Sequence, residues 1–550
     1  MGRWTNFLKE RRLRRLEADL KMLRNKINFD PRFALGADDR QTAADYTRRI
    51  CEYRVWSMGN SDLLREIYRS GASDRQSLNY FWRRAPATSR MLHSGIPGLI
   101  STKMATVLFG AGFKAEVRVY GEDGALSEEG SRQAQELLEG LCDAMNAAEL
   151  FENGATVESW GGHVFYKFSH DTRLTDFPIL EVADVTQAEA VKERGLTTAI
   201  LFKHWYEHRG KKYRLDEIYT VNADQDAVIR YQLFRLDAGG QERPVPLDEL
   251  PQTAGLRERM GLDENGTFTY TGLKGMLAFD KPNKTPSLEF PEAPYGASDY
   301  EGAVDSFDAL DETYSKIIHE LRTNRTIRYI PLSMIPMEDG KRELDDDFTD
   351  CYVQVADDLE QDAENKLQIT QIPDKTEDHL AKWRTALTTA INKAGLSPFA
   401  LGITGLESIN ASAESQQERN KATLETRKEK LKKWKPFLEK LLQKALELNS
   451  WMVKNAGARQ PGFSAPDLDF SNTAVDVTFG DYVIETDEKR VTTWGTAKSM
   501  RVVSTQEAVT RLHPDWDAEQ IENEVNRIRY EEGMSLDTPD LLPGLDGTGG

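Results

Sequence analysis

The chain has 550 residues, of which 39% are hydrophobic and 29% charged, and its formal net charge is −19. That length accommodates two to four domains or one large multi-part subunit, and the sequence holds no apolar run of ~18 residues that would span a membrane as a helix. The acidic balance argues against a tight grip on nucleic-acid phosphates, which calls for a basic excess.

The N-terminal segment carries Arg3, Lys9, Arg11, Arg12, Arg14 and Arg15 but lacks the apolar centre and small-residue cleavage site of a secretory signal. Leu8, Leu13, Leu16, Leu20 and Leu23 give residues 1–35 the pattern of a basic amphipathic helix. Residues 60–110 read as helices broken at Gly71 and at Gly95–Gly98, with Asn60 or Ser61 capping the helix that carries Leu64, Ile67 and Tyr68. A further helix is predicted over 131–152, with Leu137, Leu138, Leu141 and Met145 on one side. From Ala155 to about Asp280 the period changes. Val164–Phe168, Thr198–Trp205, Glu217–Val221 and Ala227–Leu236 are short β-branched and aromatic runs between turn residues. Residues 278–299, with Pro282, Pro286, Pro291 and Pro294, read as a linker.

A helix is predicted from about Asp299 to Asn324, with Val304, Phe307, Leu310, Tyr314, Ile317 and Leu321 along its apolar stripe. Residues 327–373 turn short and extended, and a second helix runs from about Lys375 to Lys393, ended by Gly395 and Pro398. Glycines 395, 402 and 405 then surround Phe399, Leu401, Ile403 and Leu406 in an apolar loop. A very long helix follows, from near Ala411 to about Lys454, with a kink expected at Pro436. Strands at Ala474–Thr478 and Tyr482–Ile484 and short helices around 487–503, 505–511 and 516–531 complete the ordered part. The Gly-, Pro- and Asp-rich tail from Asp537 to Gly550 has the composition of a disordered segment.

Catalytic signatures are absent. No phosphate-cradling G-x-x-x-x-G-K-[ST], no G-x-S-x-G and no H-E-x-x-H occurs. His204 and His208 stand four apart, but in a segment patterned as a strand and without a Cys or carboxylate partner, so ordinary strand histidines are the better reading. Asp345, Asp346, Asp347 and Asp350 lack calcium-loop spacing and read as a solvated turn. Cys51, Cys142 and Cys351 lie far apart and form no metal or disulfide pattern, which suits a reducing cytoplasm. No cofactor and no metal is expected. The basic run Arg419, Lys421, Arg427, Lys428, Lys430, Lys432, Lys433 and Lys435 is interleaved with glutamates, the pattern of a solvated or subunit-contacting helix face, with a DNA-contacting stripe as the alternative.

The order of these parts is similar to that of tailed-bacteriophage portal (head–tail connector) proteins, over about residues 55–530. The resemblance rests on NSDLLREIYRSG (60–71), YFWR (80–83) and SGIPGLISTKMATVLFG (94–110). It rests above all on SPFALGITGLESINASAESQQERNKATLETRKEK (397–430). It implies an α+β, mostly helical fold in the portal architecture. The expected parts are a wing (1–298, with return strands at 456–486), stem helices (299–324 and 375–395) and a clip (325–374). A tunnel loop (396–412), a long kinked helix (413–455), a helical crown (487–536) and the tail (537–550) follow.

The resemblance further implies a structural protein and not an enzyme. It implies a homo-oligomeric ring of about twelve copies at one capsid vertex of the virion, assembled in the host cytoplasm. Double-stranded DNA would pass through the ring without sequence readout. The implied partners are the terminase large subunit, the head–tail adaptor, and the major capsid and scaffolding proteins, with no membrane. The tunnel loop would be Leu401, Gly402, Ile403, Thr404, Gly405, Leu406, Glu407, Ser408 and Ile409. Arg419, Lys421, Arg427 and Lys428 are candidate DNA-facing cations, and Arg328, Tyr329, Asp345, Asp346 and Asp347 candidate adaptor-binding residues of the clip. The alternatives are another large virion protein, capsid-associated or a tail adaptor, and a nucleic-acid-processing enzyme whose site the motifs do not reveal.

Overall fold

The computed structural model of the chain describes residues 40–69, 80–84, 90–121, 124–237, 241–291, 295–323, 326–331, 350–355, 368–370, 376–403, 413–458, 470–480, 494–513, 516 and 518–531. The basic segment 1–35, the acidic turn Asp345–Asp347, residues 404–412, the strand expected at Tyr482–Ile484 and the tail from Asp537 fall outside them. The chain divides into two compact units, Met1–Gly480 and Asp481–Gly550.

The first unit begins with α1 (Arg40–Met58), whose Tyr46, Ile50, Tyr53 and Trp56 are buried at helical spacing. Asn60 caps α2 (Ser61–Arg69) as expected: its Oδ1 accepts from the backbone N–H of Asp62 at 3.0 Å and of Leu63 at 3.2 Å. Two helices, α3 (Phe81–Arg84) and α4 (Ile96–Phe109), then lead into strands β1 (Phe113–Tyr120) and β2 (Leu126–Ser127). The helix predicted over 131–152 is two helices, α5 (Glu128–Ala144) and α6 (Ala147–Gly161). Asn146 breaks them by adopting φ +49°, a left-handed conformation that asparagine tolerates better than most residues.

The β-rich stretch is present and extends beyond the strands read from the sequence. It comprises β3 (His163–Ser169), β4 (Ile179–Asp184), β5 (Ala188–Glu193), β6 (Leu196–His208), β7 (Lys211–Val221), β8 (Asp226–Leu236) and β9 (Glu242–Val245). After the short helix α7 (Leu256–Met260) come β10 (Thr267–Lys274) and β11 (Ala278–Pro282). The order β10-β8-β7-β6-β5, with β9 on β8, forms a six-stranded antiparallel sheet, and β11-β3-β4 a three-stranded one. The linker expected at 278–299 is therefore partly sheet, since Ala278–Pro282 pairs antiparallel with Lys167–His163. Farther on, Gly162 and Gly296 cross with no room for side chains. A Cβ on either would lie 2.4 or 2.5 Å from the other's carbonyl oxygen.

Helix α8 (Val304–Thr323) starts later than expected because Gly302, at φ +73°, cannot continue a right-handed turn. Strands β12 (Thr326–Pro331), β13 (Asp350–Val355) and β14 (Gln368–Thr370) make a small mixed sheet, parallel between β12 and β13 and antiparallel between β12 and β14. Helix α9 (Thr376–Lys393) and a short 3₁₀ turn (Pro398–Leu401) precede α10 (Ala413–Trp451). At 1.5 Å per residue α10 is about 58 Å long. It continues through Pro436, which carries no N–H to donate to the carbonyl of Lys432.

The second half of α10 is core. Trp434, Leu438, Leu441, Leu442, Ala445, Leu446 and Leu448 are fully buried. Strand β15 (Thr473–Phe479) returns to pair antiparallel with β1, in a sheet ordered β15-β1-β2. The second unit contains helical residues 494–499, α11 (Thr505–Leu512) and α12 (Ala518–Glu531). Ser504 Oγ accepts from the backbone N–H of Glu507 at 3.1 Å and so caps α11.

Candidate functional site

Helices α8 and α9 form an antiparallel pair. His379 Nε2, near the start of α9, lies 2.9 Å from Glu320 Oε1 near the end of α8. At the other end Lys393 Nζ donates to Ser306 Oγ at 3.3 Å. Phe307, Leu310, Leu387, Ala390 and Ile391 are buried. Phe307 and Leu387 thus belong to this chain's own core. What remains outside is Tyr314, Leu321 and Leu380, all exposed, with Leu321 63% accessible. The sheet β12–β14 lies in the chain between the two helices, so the pair carries it at one end.

The first turns of α8 are tied to residues 80–94 by a ladder of acids on one face. Tyr80 OH donates to Asp305 Oδ1 at 2.9 Å, and the Phe81 backbone N–H donates to Asp308 Oδ2 at 2.9 Å. Asp311 accepts from Trp82 Nε1 at 3.2 Å and from the Ser94 N–H at 2.8 Å, and lies 2.6 Å from His93 Nδ1. Burial, with Asp311 and Glu312 nearby, pushes the Asp308 carboxyl up to about 7 despite the two backbone donors.

The apolar loop predicted to follow α9 has a built root. Gly395 takes φ +82°, and Thr426 of α10 sits 2.8 Å from where its Cβ would be. The Ser397 N–H donates to Thr423 Oγ1 at 2.9 Å, and Ser397 Oγ donates to Asn420 Oδ1 at 2.9 Å. Ser397 Oγ also accepts from the Ala400 N–H at 3.2 Å. Leu401 and Ile403 are half-buried and Gly402 exposed, at φ +77°. Thr404, Gly405, Leu406, Glu407, Ser408 and Ile409 lie outside the described residues. The root fastens to α10 about two to three and a half turns after that helix begins.

The basic run on α10 separates into three kinds of residue. Lys421 and Lys428 are exposed. Arg419 is helical, but its side chain is outside the described residues. Arg427 is a structural tie: Nε donates to Val107 O at 2.8 Å and one Nη to Gly480 O at 2.6 Å. Lys430 is buried, with Nζ 2.5 Å from Asn283 Oδ1 and 2.8 Å from Asp299 Oδ2. Although burial alone would raise it, Lys284 and Lys430 hold the Asp299 carboxyl well below the usual range. Beside this pair, Lys281 bonds Glu158, which also accepts from Trp434 Nε1 at 2.9 Å. Burial depresses the Lys281 amine to about 8. The sequence showed these charges but not their destination, because Lys281, Asn283 and Asp299 lie in the stretch that reads as linker.

Of the clip candidates, Tyr329 is half-buried in β12. Arg328 lies in the same strand with its side chain outside the described residues, as are Asp345, Asp346 and Asp347. His204 is a strand residue on β6 whose Nε2 lies 3.1 Å from Glu217 Oε2. That buried carboxylate also accepts from Lys167 Nζ at 2.5 Å, Tyr219 OH at 2.9 Å and Tyr231 OH at 3.0 Å. Burial opposes its charge, yet Lys167 and His204 hold it down to about 2. Among the described residues no group of three or more His, Cys, Asp or Glu side chains converges as a metal site, and no helix is long and apolar enough to cross a membrane.

The family model described as "Phage portal protein, SPP1 Gp6-like" matches residues 199–535, well over half of the chain. The chain belongs to the phage portal protein family. No curated protein matches it. The matched region of this portal protein runs from within β6 through β15 and the described helices of the second unit. It therefore holds the α8–α9 pair, the small sheet between them, the loop root and all of α10. A portal protein is a structural component of the virion, placed at the capsid vertex, and not an enzyme.

Proposed function

We propose that this portal protein is the repeated subunit of a closed ring that forms the channel for double-stranded DNA during packaging and ejection. The same ring docks the terminase on one occasion and the head–tail adaptor on another. The family match over residues 199–535 carries this reading. In this reading α8 and α9 are the stem (299–324 and 375–395), the sheet β12–β14 is the clip (325–374), and 396–412 is the tunnel loop. Residues 413–455 are the long helix, 1–298 and 456–486 the wing, and 487–536 the crown.

Geometry supports a ring of about twelve copies. Twelve helices of ~10 Å diameter set side by side close on a circle ~38 Å across their axes, leaving ~28 Å inside, enough for a duplex. The exposed Tyr314, Leu321 and Leu380 supply apolar surface for the neighbour at the stem. The net charge of −19 suits a bore along which phosphates slide. In this reading Lys421, Lys428 and Arg419 centre the duplex, and the loop Leu401–Ile409 touches it without reading sequence. Arg328, Tyr329 and the acids Asp345–Asp347 meet the adaptor, and capsid and scaffolding proteins meet the wing during assembly in the host cytoplasm.

Electron microscopy of the purified full-length chain tests this. Annular particles with a central hole are expected. Monomers at all concentrations would refute it, and open tubes or sheets would favour a different virion role.

A further inference from the structure

Outside the parts assigned to channel, loop and clip, the first unit carries a groove of about 770 Å³ between β11 with the turn before it and the middle of α10. Its floor is apolar. Met276, Phe279 and Phe437 line it and are only half-buried in this chain. Its walls are basic. Lys440 is exposed along α10, and Lys432 is exposed but bonds Glu429 at 2.6 Å, while the Lys433 and Lys444 amines are steered by backbone carbonyls, Asn283 O at 2.7 Å and Lys274 O at 2.6 Å. The two acids that line the groove are already engaged. Asp280 is paired with Lys192 at 3.0 Å, and Glu447 bonds Lys444.

We propose that this groove is a docking site for an acidic, extended peptide segment of a partner protein, anchored by one large apolar side chain. Charge complementarity selects the partner's sign. A cationic wall on a chain of net charge −19 is a local exception, and its excess lysines repel a basic ligand. The floor selects a peptide over nucleic acid. Duplex phosphates would meet the lysines but leave Met276, Phe279 and Phe437 uncovered, whereas an apolar side chain seated there removes them from water. The position of the groove also suits an extended chain, because β11 is the outer strand of its three-stranded sheet.

The site predicts a simple experiment on the full-length protein. The probe is a fluorescein-labelled synthetic peptide with Asp and Glu on both sides of a central Leu-Phe, compared with the same peptide carrying Ser-Ser at the centre and with a labelled DNA duplex. Binding of the first, weakened at least tenfold by raised salt and by the double charge reversal K432E/K440E, is the expected result. Both lysines are exposed, so the variant should keep the wild-type circular dichroism and particle size. Met276→Ala, which removes apolar floor without adding charge, should weaken the Leu-Phe peptide and not the Ser-Ser one. The proposal is overturned if the Leu-Phe peptide shows no binding up to about 1 mM, a free energy near −4 kcal/mol. It is also overturned if the Ser-Ser peptide or the duplex binds as tightly, or if K432E/K440E leaves binding unchanged. None of these results depends on whether the chain forms a ring, so failure here leaves the channel reading standing.

Discussion

The buried pair on α10 makes the sharpest quantitative expectation, because its two halves are supported unequally. Lys430 Nζ has two acceptors, Asn283 Oδ1 at 2.5 Å and Asp299 Oδ2 at 2.8 Å. Asp299 has more company: Lys284 Nζ at 2.9 Å and Asn283 Nδ2 at 3.1 Å, besides Lys430. Asp299→Asn therefore strands a buried ammonium, a loss of about 3–5 kcal/mol. Lys430→Met leaves the carboxylate still paired and replaces the stem of the lysine with apolar volume, for about 1–3 kcal/mol. The double variant should lose less than the sum of the singles, by about 1 kcal/mol or more, since both remove one interaction. Equilibrium urea unfolding followed by tryptophan fluorescence reads all three, with Trp434 packed in the neighbouring pair. Equal losses, or a larger loss for Lys430→Met, would refute the reasoning. So would a Lys430→Met variant of unchanged stability whose particles lose DNA, for then the amine would serve the duplex and not the fold.

Other expectations follow from the same geometry. Asp308 keeps its proton up to about pH 7 in the folded chain, while the unfolded chain releases it near the ordinary value of 3.8. Its contribution is thus present in acid and lost as pH rises through about 7, by at most about 4 kcal/mol at 1.36 kcal/mol per pH unit. Asp308→Asn should flatten the difference in stability across that window, measured by urea midpoints from pH 4 to 8, and an unchanged slope would count against it. Tyr314→Asp with Leu321→Asp should leave the helical circular dichroism intact yet block ring formation in light scattering, and intact rings would move the subunit contact elsewhere. Deleting residues 402–408 should preserve rings, since the root at Ser397 and Gly395 is held by Thr423 and Thr426, but lower DNA retention in filled particles. Normal retention would remove the loop from the channel.

Local signals in the sequence were enough for much of this protein. Period and capping placed α8, α9 and the long helix within a few residues, and the Asn60 cap formed as expected, because such contacts span a few residues of chain. The end of α9 was legible for the same reason, Gly395 taking a left-handed conformation and Pro398 following it. The family was legible too, from the segment 397–430, and the match over 199–535 agrees with it. Tertiary structure decided the rest, wherever partners lie far apart in the chain. Asn146 was a weak local mark of the break, outweighed by the helical period on either side of it. The stretch 278–299 looked like a linker because its prolines are local, whereas its pairing with His163–Lys167 and its ties to Lys430 join positions more than a hundred residues apart. The basic run looked uniform along one helix, and only the fold separated Lys421 and Lys428 on the surface from Arg427 and Lys430 within. A side chain's charge is written in the sequence, but its cost or use depends on which distant atoms exclude water from it.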